Sequence, residues 1–263
     1  MLTKGKIQTI KSYADKKHRN AKGVFVVEGA KSVAELLKTN LIIDEIYVTH
    51  DFAKKYEKDL HAASKRQAEK QIWLKPQLVE SGELKYLGSL EANDGALAIV
   101  RQPKVEAADL ISIAQRDIVL VLEDVRDPGN LGTILRIADW YGIKNIFASI
   151  GTVDVYNNKT ILASMGSYAR VHIQYGDVKP FLKECGNKNI LTIASTLDGK
   201  NSHSYAWPKN GVLVVGNESN GLSSDVLDLV KNKITIPSYG DAESLNAGIA
   251  TAVLLDEWRK SQN

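Results

Sequence analysis

Three polar clusters, each placed where a run of apolar residues ends, hold the residue types that could meet a ligand. In the first, Asn130 and Arg136 are six positions apart. That spacing is slightly under two helical turns, so both reach one pocket if Arg136 points back along the helix axis. In the second, Glu218 lies between Gly216 and Gly221, just past the apolar run Val212-Leu-Val-Val215. In the third, Ser244 and Asn246 follow Pro237 across a polar loop and open a long apolar helix. A guanidinium, a carboxylate, a hydroxyl and two amides offer ion pairing and hydrogen bonding at what reads as one edge of one sheet. Each cluster also has a plain structural reading. Asn130 can be a helix cap and Arg136 a surface residue, the Gly-Asn-Glu-Ser-Asn-Gly loop can be a turn, and Ser244 can be a cap. Asn246 is a modest helix former with no evident capping role, which favours a side-chain contact to ligand or backbone.

Other chemistries lack their signatures. No Gly-Lys-Ser/Thr follows a glycine-rich loop, and no Gly-x-Gly-x-x-Gly follows a strand, so the usual nucleotide fingerprints are missing. The five histidines (His18, His50, His61, His172, His203) have no metal-ligand spacing, and Asp124 with Asp127 makes a weak cation site, so no metal is expected. Cys185 is the single cysteine, which excludes an intrachain disulfide and reads as a buried small hydrophobe.

The elements that position these clusters follow from hydrophobic periodicity. Over the first hundred residues, strands are expected at 24–27, 42–48, 71–74 and 96–100, with helical stretches at 32–37 and 52–70. Residues 101–108 lose periodicity and contain a proline, making a candidate linker. Beyond it, strands at 118–123, 144–149, 171–174, 190–195, 212–215 and 233–236 alternate with helices near 130–141, 157–168, 177–185, 223–230 and 245–260. Unbroken apolar strands suit a mostly parallel sheet with helices on both faces. Such α/β sheets bind ligands outside the carboxyl ends of their strands.

The 263 residues suffice for one large domain or two ordinary ones, and a hydrophobic fraction of 44% is that of a globular chain. No apolar run approaches the ~20 residues that span a bilayer, and the lysine-rich start has no signal-peptide core, so no membrane association and a cytoplasmic location are expected. Seven Lys/Arg in residues 1–22 face one acid, Asp15, a local balance of +6 against +3 for the whole chain. That segment is either a phosphate-binding arm or a solvated amphipathic helix.

Taken together, Asn130-Leu-Gly-Thr-Ile-Leu-Arg136 with Ala138, Gly216-Asn-Glu218 with Gly221-Leu-Ser223, and Ile236-Pro237 with Ser244-Leu-Asn246 resemble the three motifs of the SpoU/TrmH family of RNA ribose 2′-O-methyltransferases, of the SPOUT class. The motifs stand in the family's order across residues 130–246. Phe25-Val-Val-Glu-Gly29 before a helix resembles the family's small ribosomal-protein-like RNA-binding domain.

The resemblance implies a substrate-binding domain over 1–103 and a SPOUT methyltransferase domain with a deep trefoil knot over 104–263. It further implies a homodimer, RNA as partner with rRNA ahead of tRNA, and S-adenosylmethionine as cofactor. The cofactor would sit at Thr196, Gly216, Ile236 and Leu245. Arg136 would activate the ribose hydroxyl, Asn130 and Glu218 would orient it or the ribose, and Ser244 and Asn246 would bind substrate or brace the cofactor loop. Two departures bear on substrate preference: Ile137 follows the motif arginine where many relatives have Thr, and Asp241 and Glu243 add acidity before Ser244. A tRNA methyltransferase and a non-catalytic RNA-binding protein of the same fold are the alternatives.

Overall fold

A computed structural model of the chain describes residues 2–90, 93, 95–104 and 107–262. They divide into two compact units, Met1–Val105 with Tyr156–Ala169, and Glu106–Val155 with Arg170–Asn263. The linker expected over 101–108 includes Val105 and Glu106, which lie outside the described residues.

The first unit runs α1 (Lys4–Ser12), α2 (Lys16–Lys22), β1 (Val24–Glu28), α3 (Ala30–Leu37), β2 (Ile43–Val48), α4 (His50–Lys55), α5 (Glu57–Ala68), β3 (Gln77–Leu78), α6 (Ser81–Leu87) and β4 (Ala96–Arg101). Its sheet has the order β1-β4-β2-β3, with β4 antiparallel to both neighbours and β3 parallel to β2. The basic leader is two helices joined by a fixed turn. Asp15 caps α2 by accepting from Lys17 N, and Gly23 closes it in the left-handed conformation at φ 63°. Arg19 is buried, and its guanidinium donates to the Tyr13 and Ala14 carbonyls. Glu28 is likewise buried: its carboxylate accepts from Ser89 N, Ser89 Oγ, Leu90 N and Asn158 Nδ2. Four donors offset the desolvation of that charge.

Two expectations fail in this unit. Residues 71–74 form no strand. Gln71 takes the left-handed conformation at φ 59° to close α5, with Ile72 N bonded to Gln67 O and Gln71 N to Ala68 O, a Schellman ending that spends the backbone groups a strand would need. The helix expected over 52–70 is broken at Tyr56 into α4 and α5.

Chain order continues with α7 (Leu110–Ala114), β5 (Ile118–Leu122), α8 (Pro128–Trp140), β6 (Asn145–Ser149), α9 (Asn158–Ser164), β7 (His172–Gly176), α10 (Val178–Asn187), β8 (Thr192–Asn201), β9 (Gly211–Val215), α11 (Ser224–Leu227), β10 (Asn232–Thr235) and α12 (Ala247–Lys260). Helix α9 belongs to the first unit, where the preceding Tyr156 stacks on Phe25 at 4.5 Å. The helix expected over 157–168 is therefore shorter than its pattern. Met165 at φ 49° ends it, and a short 3₁₀ turn follows at Ser167–Ala169. The helix expected over 223–230 shrinks to α11.

The second unit holds six parallel strands in the order β10-β8-β9-β5-β6-β7. Every residue of β5 and β9 is buried, which accounts for their unbroken apolar sequences. The chain builds outward from β5 to β6 and β7, then crosses to lay β8, β9 and β10 on the other side. The order reverses between β5 and β9. In an open parallel sheet that reversal opens a crevice at the carboxyl ends of the two strands.

Candidate active site at the switch point of the parallel sheet

The crevice is occupied by loop residues drawn from all three sequence clusters. A cavity of about 560 Å³ is lined by Arg126, Asp127 and Asn130 after β5, Asn217, Glu218, Ser219 and Asn220 after β9, and Ser244, Leu245 and Asn246 before α12.

Helix α8 begins at Asp127, not Asn130. The Asp127 carboxylate accepts from Asn130 N at 2.8 Å, and Pro128 takes the first helical position, where a missing N–H costs nothing. The expected capping role of Asn130 is thereby corrected, and its side chain is released for other partners. Asn130 Nδ2 donates to Glu218 Oε1 at 2.6 Å, while Asn130 Oδ1 accepts from Asn246 Nδ2 at 2.6 Å.

Asn246 in turn is the N-cap of α12, its Oδ1 accepting from Gly248 N at 2.9 Å and Ile249 N at 3.3 Å. The helix starts two residues later than its apolar stripe suggests, so the absence of a capping role for Asn246 is also corrected, and Ser244 is left exposed at the cavity wall.

Glu218 rides on a braced loop. Asn217 and Gly221 exchange backbone hydrogen bonds, Asn217 Oδ1 accepts from Ser219 N and Asn220 N, and Asn217 Nδ2 reaches back to the Asp124 carbonyl at 2.8 Å. Gly216 lies against the loop's return: a Cβ there would stand 2.5 Å from the Gly221 carbonyl carbon. Only glycine permits that approach.

Arg136 sits elsewhere. It is exposed on α8, lines none of the cavity, and has no bonded partner among the described residues. The expectation that it folds back to share a pocket with Asn130 is not met: the buried side chains of α8 are Leu131, Ile134, Leu135 and Ala138, and Arg136 faces solvent.

The four cofactor positions follow parallel neighbours in the sheet. Thr196 lies in β8 just beyond its register with β9, Gly216 follows β9, and Ile236 follows β10. Their carboxyl ends therefore share one edge, and Leu245 precedes α12 on the cavity wall. One feature fits a ligand bound by backbone and small groups: the Thr196 hydroxyl is buried with no partner among the described residues. No group of three or more His, Cys, Asp or Glu among the described residues could hold a metal, and no helix among them is long and apolar enough to cross a membrane.

Arg126, Asn217, Ser219 and Asn220 also line the cavity, though their sequence pattern does not single them out as site residues. The Asp-Pro pair signals a helix start at Asp127, and Asn217 beside glycine signals a turn; nothing local marks Arg126.

A fold of this kind, with polar loops meeting at the reversal of a parallel sheet, defines an α/β ligand-binding protein. The SpoU rRNA Methylase family model matches residues 117–256, and the MRM3-like substrate binding domain matches residues 4–81. The chain belongs to the SpoU methylase family. It is 26% identical over 251 residues to the 23S rRNA guanosine 2′-O-methyltransferase RlmP of Bacillus subtilis, covering 95% of this chain and 94% of that one. It is 30% identical over 164 residues to a tRNA guanosine 2′-O-methyltransferase of Thermus thermophilus, covering 62% and 83%. Among solved structures, a TrmH-family protein of Porphyromonas gingivalis superposes with a TM-score of 0.81 at 29% identity over 99% of both chains. An AdoMet-bound rRNA methyltransferase of Sinorhizobium meliloti does so at 0.79 and 25%, over 99% of this chain and 96% of that one.

Proposed function

We propose that this protein transfers a methyl group from S-adenosylmethionine to a ribose 2′-hydroxyl of structured RNA, with rRNA ahead of tRNA as substrate. The observation that carries the reading is the Asn246–Asn130–Glu218 chain of side-chain bonds, which joins all three motif loops at one cavity. Similarity to RlmP along nearly the whole chain supports rRNA, since the tRNA relative matches 62% of it.

When bound, S-adenosylmethionine would supply a methyl group already activated on a sulfonium, and Thr196, Gly216, Ile236 and Leu245 are the positions proposed to hold it. In-line transfer mainly requires nucleophile and methyl carbon to be held at near-attack distance. Asn130 and Glu218, locked to each other, orient the ribose; Ser244 and Asn246 extend the wall on which it rests. Arg136 is assigned to hydroxyl activation, which requires its side chain, exposed on α8 outside the cavity's lining, to turn toward the bound ribose. Its guanidinium stays protonated at ordinary pH, so it acts by stabilising developing alkoxide charge and an adjacent phosphate. Freedom from intramolecular partners among the described residues leaves its donors for that task.

The reading includes division into an RNA-binding domain over 1–103 and a methyltransferase domain over 104–263, the trefoil-knotted threading of the family, a homodimer and a cytoplasmic location. Trp140 of α8, 84% exposed, and Ile249 of α12, 52% exposed, are apolar side chains that a homodimer contact would cover. Exposed lysines of α1 and α2 support RNA binding by the first domain. Sedimentation equilibrium tests the dimer, and tritiated methyl transfer to ribosomal RNA tests the activity. Cofactor binding without transfer to any RNA would favour the non-catalytic alternative.

A further inference from the structure

Of the ten residues lining the cavity, Arg126 alone carries a positive charge, while Asp127 and Glu218 carry negative ones. An RNA strand that brings a ribose to Asn130 also brings its phosphates against these two acids. Some cation must offset that repulsion, and Arg136 does not line the cavity.

Arg126 is held at the rim by an unusually built platform. Its Nη2 donates to Asp124 Oδ2 at 2.8 Å. Asp124 itself adopts φ 56°, a left-handed conformation that a non-glycine residue keeps only when its surroundings hold it. Ser149 Oγ accepts from Asp124 N at 2.9 Å and donates to Asp124 Oδ1 at 3.2 Å, and the Asp124 carbonyl accepts from Asn217 Nδ2 at 2.8 Å. Gly151 covers the same carboxylate so closely that a Cβ would lie 2.0 Å from Asp124 Oδ1. One carboxylate oxygen is thus fixed from behind by Ser149, and the other is presented to Arg126. The remaining guanidinium donors, Nε and Nη1, have no partner among the described residues. A planar fork with an open edge, oriented by a fixed carboxylate, is suited to a phosphate oxygen pair.

We infer that Arg126 binds a backbone phosphate of the RNA next to the ribose in the cavity, oriented for it by Asp124 and Ser149. This rests on the proposed RNA methyl transfer, deepening it by naming the anchor of the reacting nucleotide. Arg126 is a substrate-binding residue, and Asp124 is a positioning residue acting through it.

The test uses the full-length protein, its Arg126→Ala, Arg126→Lys and Asp124→Asn variants, and an unmodified rRNA transcript. RNA binding is titrated from low to moderate salt, and methyl transfer is followed with radiolabelled S-adenosylmethionine. Arg126→Ala is expected to raise Kd and KM for RNA about tenfold to a hundredfold, the scale set by removing a charge-assisted hydrogen bond. It should also lower the slope of log Kd against log salt by about one. Arg126→Lys should retain the slope but not the full affinity, and Asp124→Asn should raise KM with the slope unchanged. Calorimetric affinity for S-adenosylmethionine and the melting temperature should match wild type in the arginine variants. An unchanged slope and KM in Arg126→Ala would overturn the inference. Absence of transfer by the wild-type protein would instead count against the methyltransferase reading, while the salt slope still decides for or against a phosphate partner for Arg126.

Discussion

Asn130 and Glu218, 88 residues apart in sequence, are joined by a 2.6 Å bond from amide to carboxylate across the switch point of the sheet. The pair couples the loop after β5 to the loop after β9, so each carries part of the other's orientation. Because Asn130 Oδ1 also accepts from Asn246, one amide serves both partners. Asn130→Ala removes both bonds and leaves Glu218 without its amide donor. A hydrogen bond to a charged group is worth about 1.5–3 kcal/mol, so kcat on RNA should fall about tenfold to a hundredfold. Cofactor affinity measured by calorimetry should change little, and a variant with wild-type turnover would remove Asn130 from the site.

Gly216 has no room for a side chain. The Cβ introduced by Gly216→Ala would sit 2.5 Å from Gly221 backbone atoms, so the loop bearing Glu218 must shift. Overpacking of this kind costs about 1–3 kcal/mol. A lower melting temperature and weaker S-adenosylmethionine binding are expected together. An unshifted melting curve would show that the loop yields without strain.

The architecture was legible wherever one local signal decided it. Apolar runs such as Val119 to Leu122 and Val212 to Val215 announce strands covered on both faces, and both are wholly buried. Strand order was not legible, because the crossing that inserts β9 between β8 and β5 is a nonlocal choice that leaves no periodicity behind. At the site, residue identities were clearer than their roles. Asn130 and Asp127 both suit a cap, and Pro128 decides for Asp127. Asn246 took the cap once the helix started two residues late. Arg126 carries no local sequence signal, because its significance comes from Asp124, Ser149 and the shape of the cavity, which no spacing reveals. Trp73, placed in an expected strand, is instead 82% exposed after the turn at Gln71.

Burial pushes the Cys185 thiol from its ordinary 9.0 up to about 12. The folded state holds this proton more tightly than the unfolded chain, so the contribution to stability is complete below pH 9.0 and disappears as pH rises from there through about 12. At about pH 8, below the thiol's ordinary range, iodoacetamide should leave the folded protein unlabelled and modify it once urea exposes the thiol. Fast labelling without denaturant would contradict the buried, neutral thiol.

Lys11, Lys16, Lys17 and Lys22 are exposed on α1 and α2 with no acidic partner among the described residues, whereas Lys6 pairs with Glu45. Replacing the four with alanine should weaken RNA binding and lower the salt slope by about 0.9 for each phosphate that is no longer neutralised. Saturating RNA should restore kcat, because these residues do not line the reacting cavity. A slope identical to wild type would mark the lysines as a solvated face.

Methyl transfer to a ribose hydroxyl is tested by incubating the wild-type protein and Arg136→Ala with tritiated S-adenosylmethionine and unmodified rRNA, then resolving the nucleosides after digestion. Label from the wild type is expected solely in a 2′-O-methylated nucleoside, with a collapse of transfer in Arg136→Ala and cofactor affinity retained. Label in a base, or full turnover by the Arg136 variant, would contradict it.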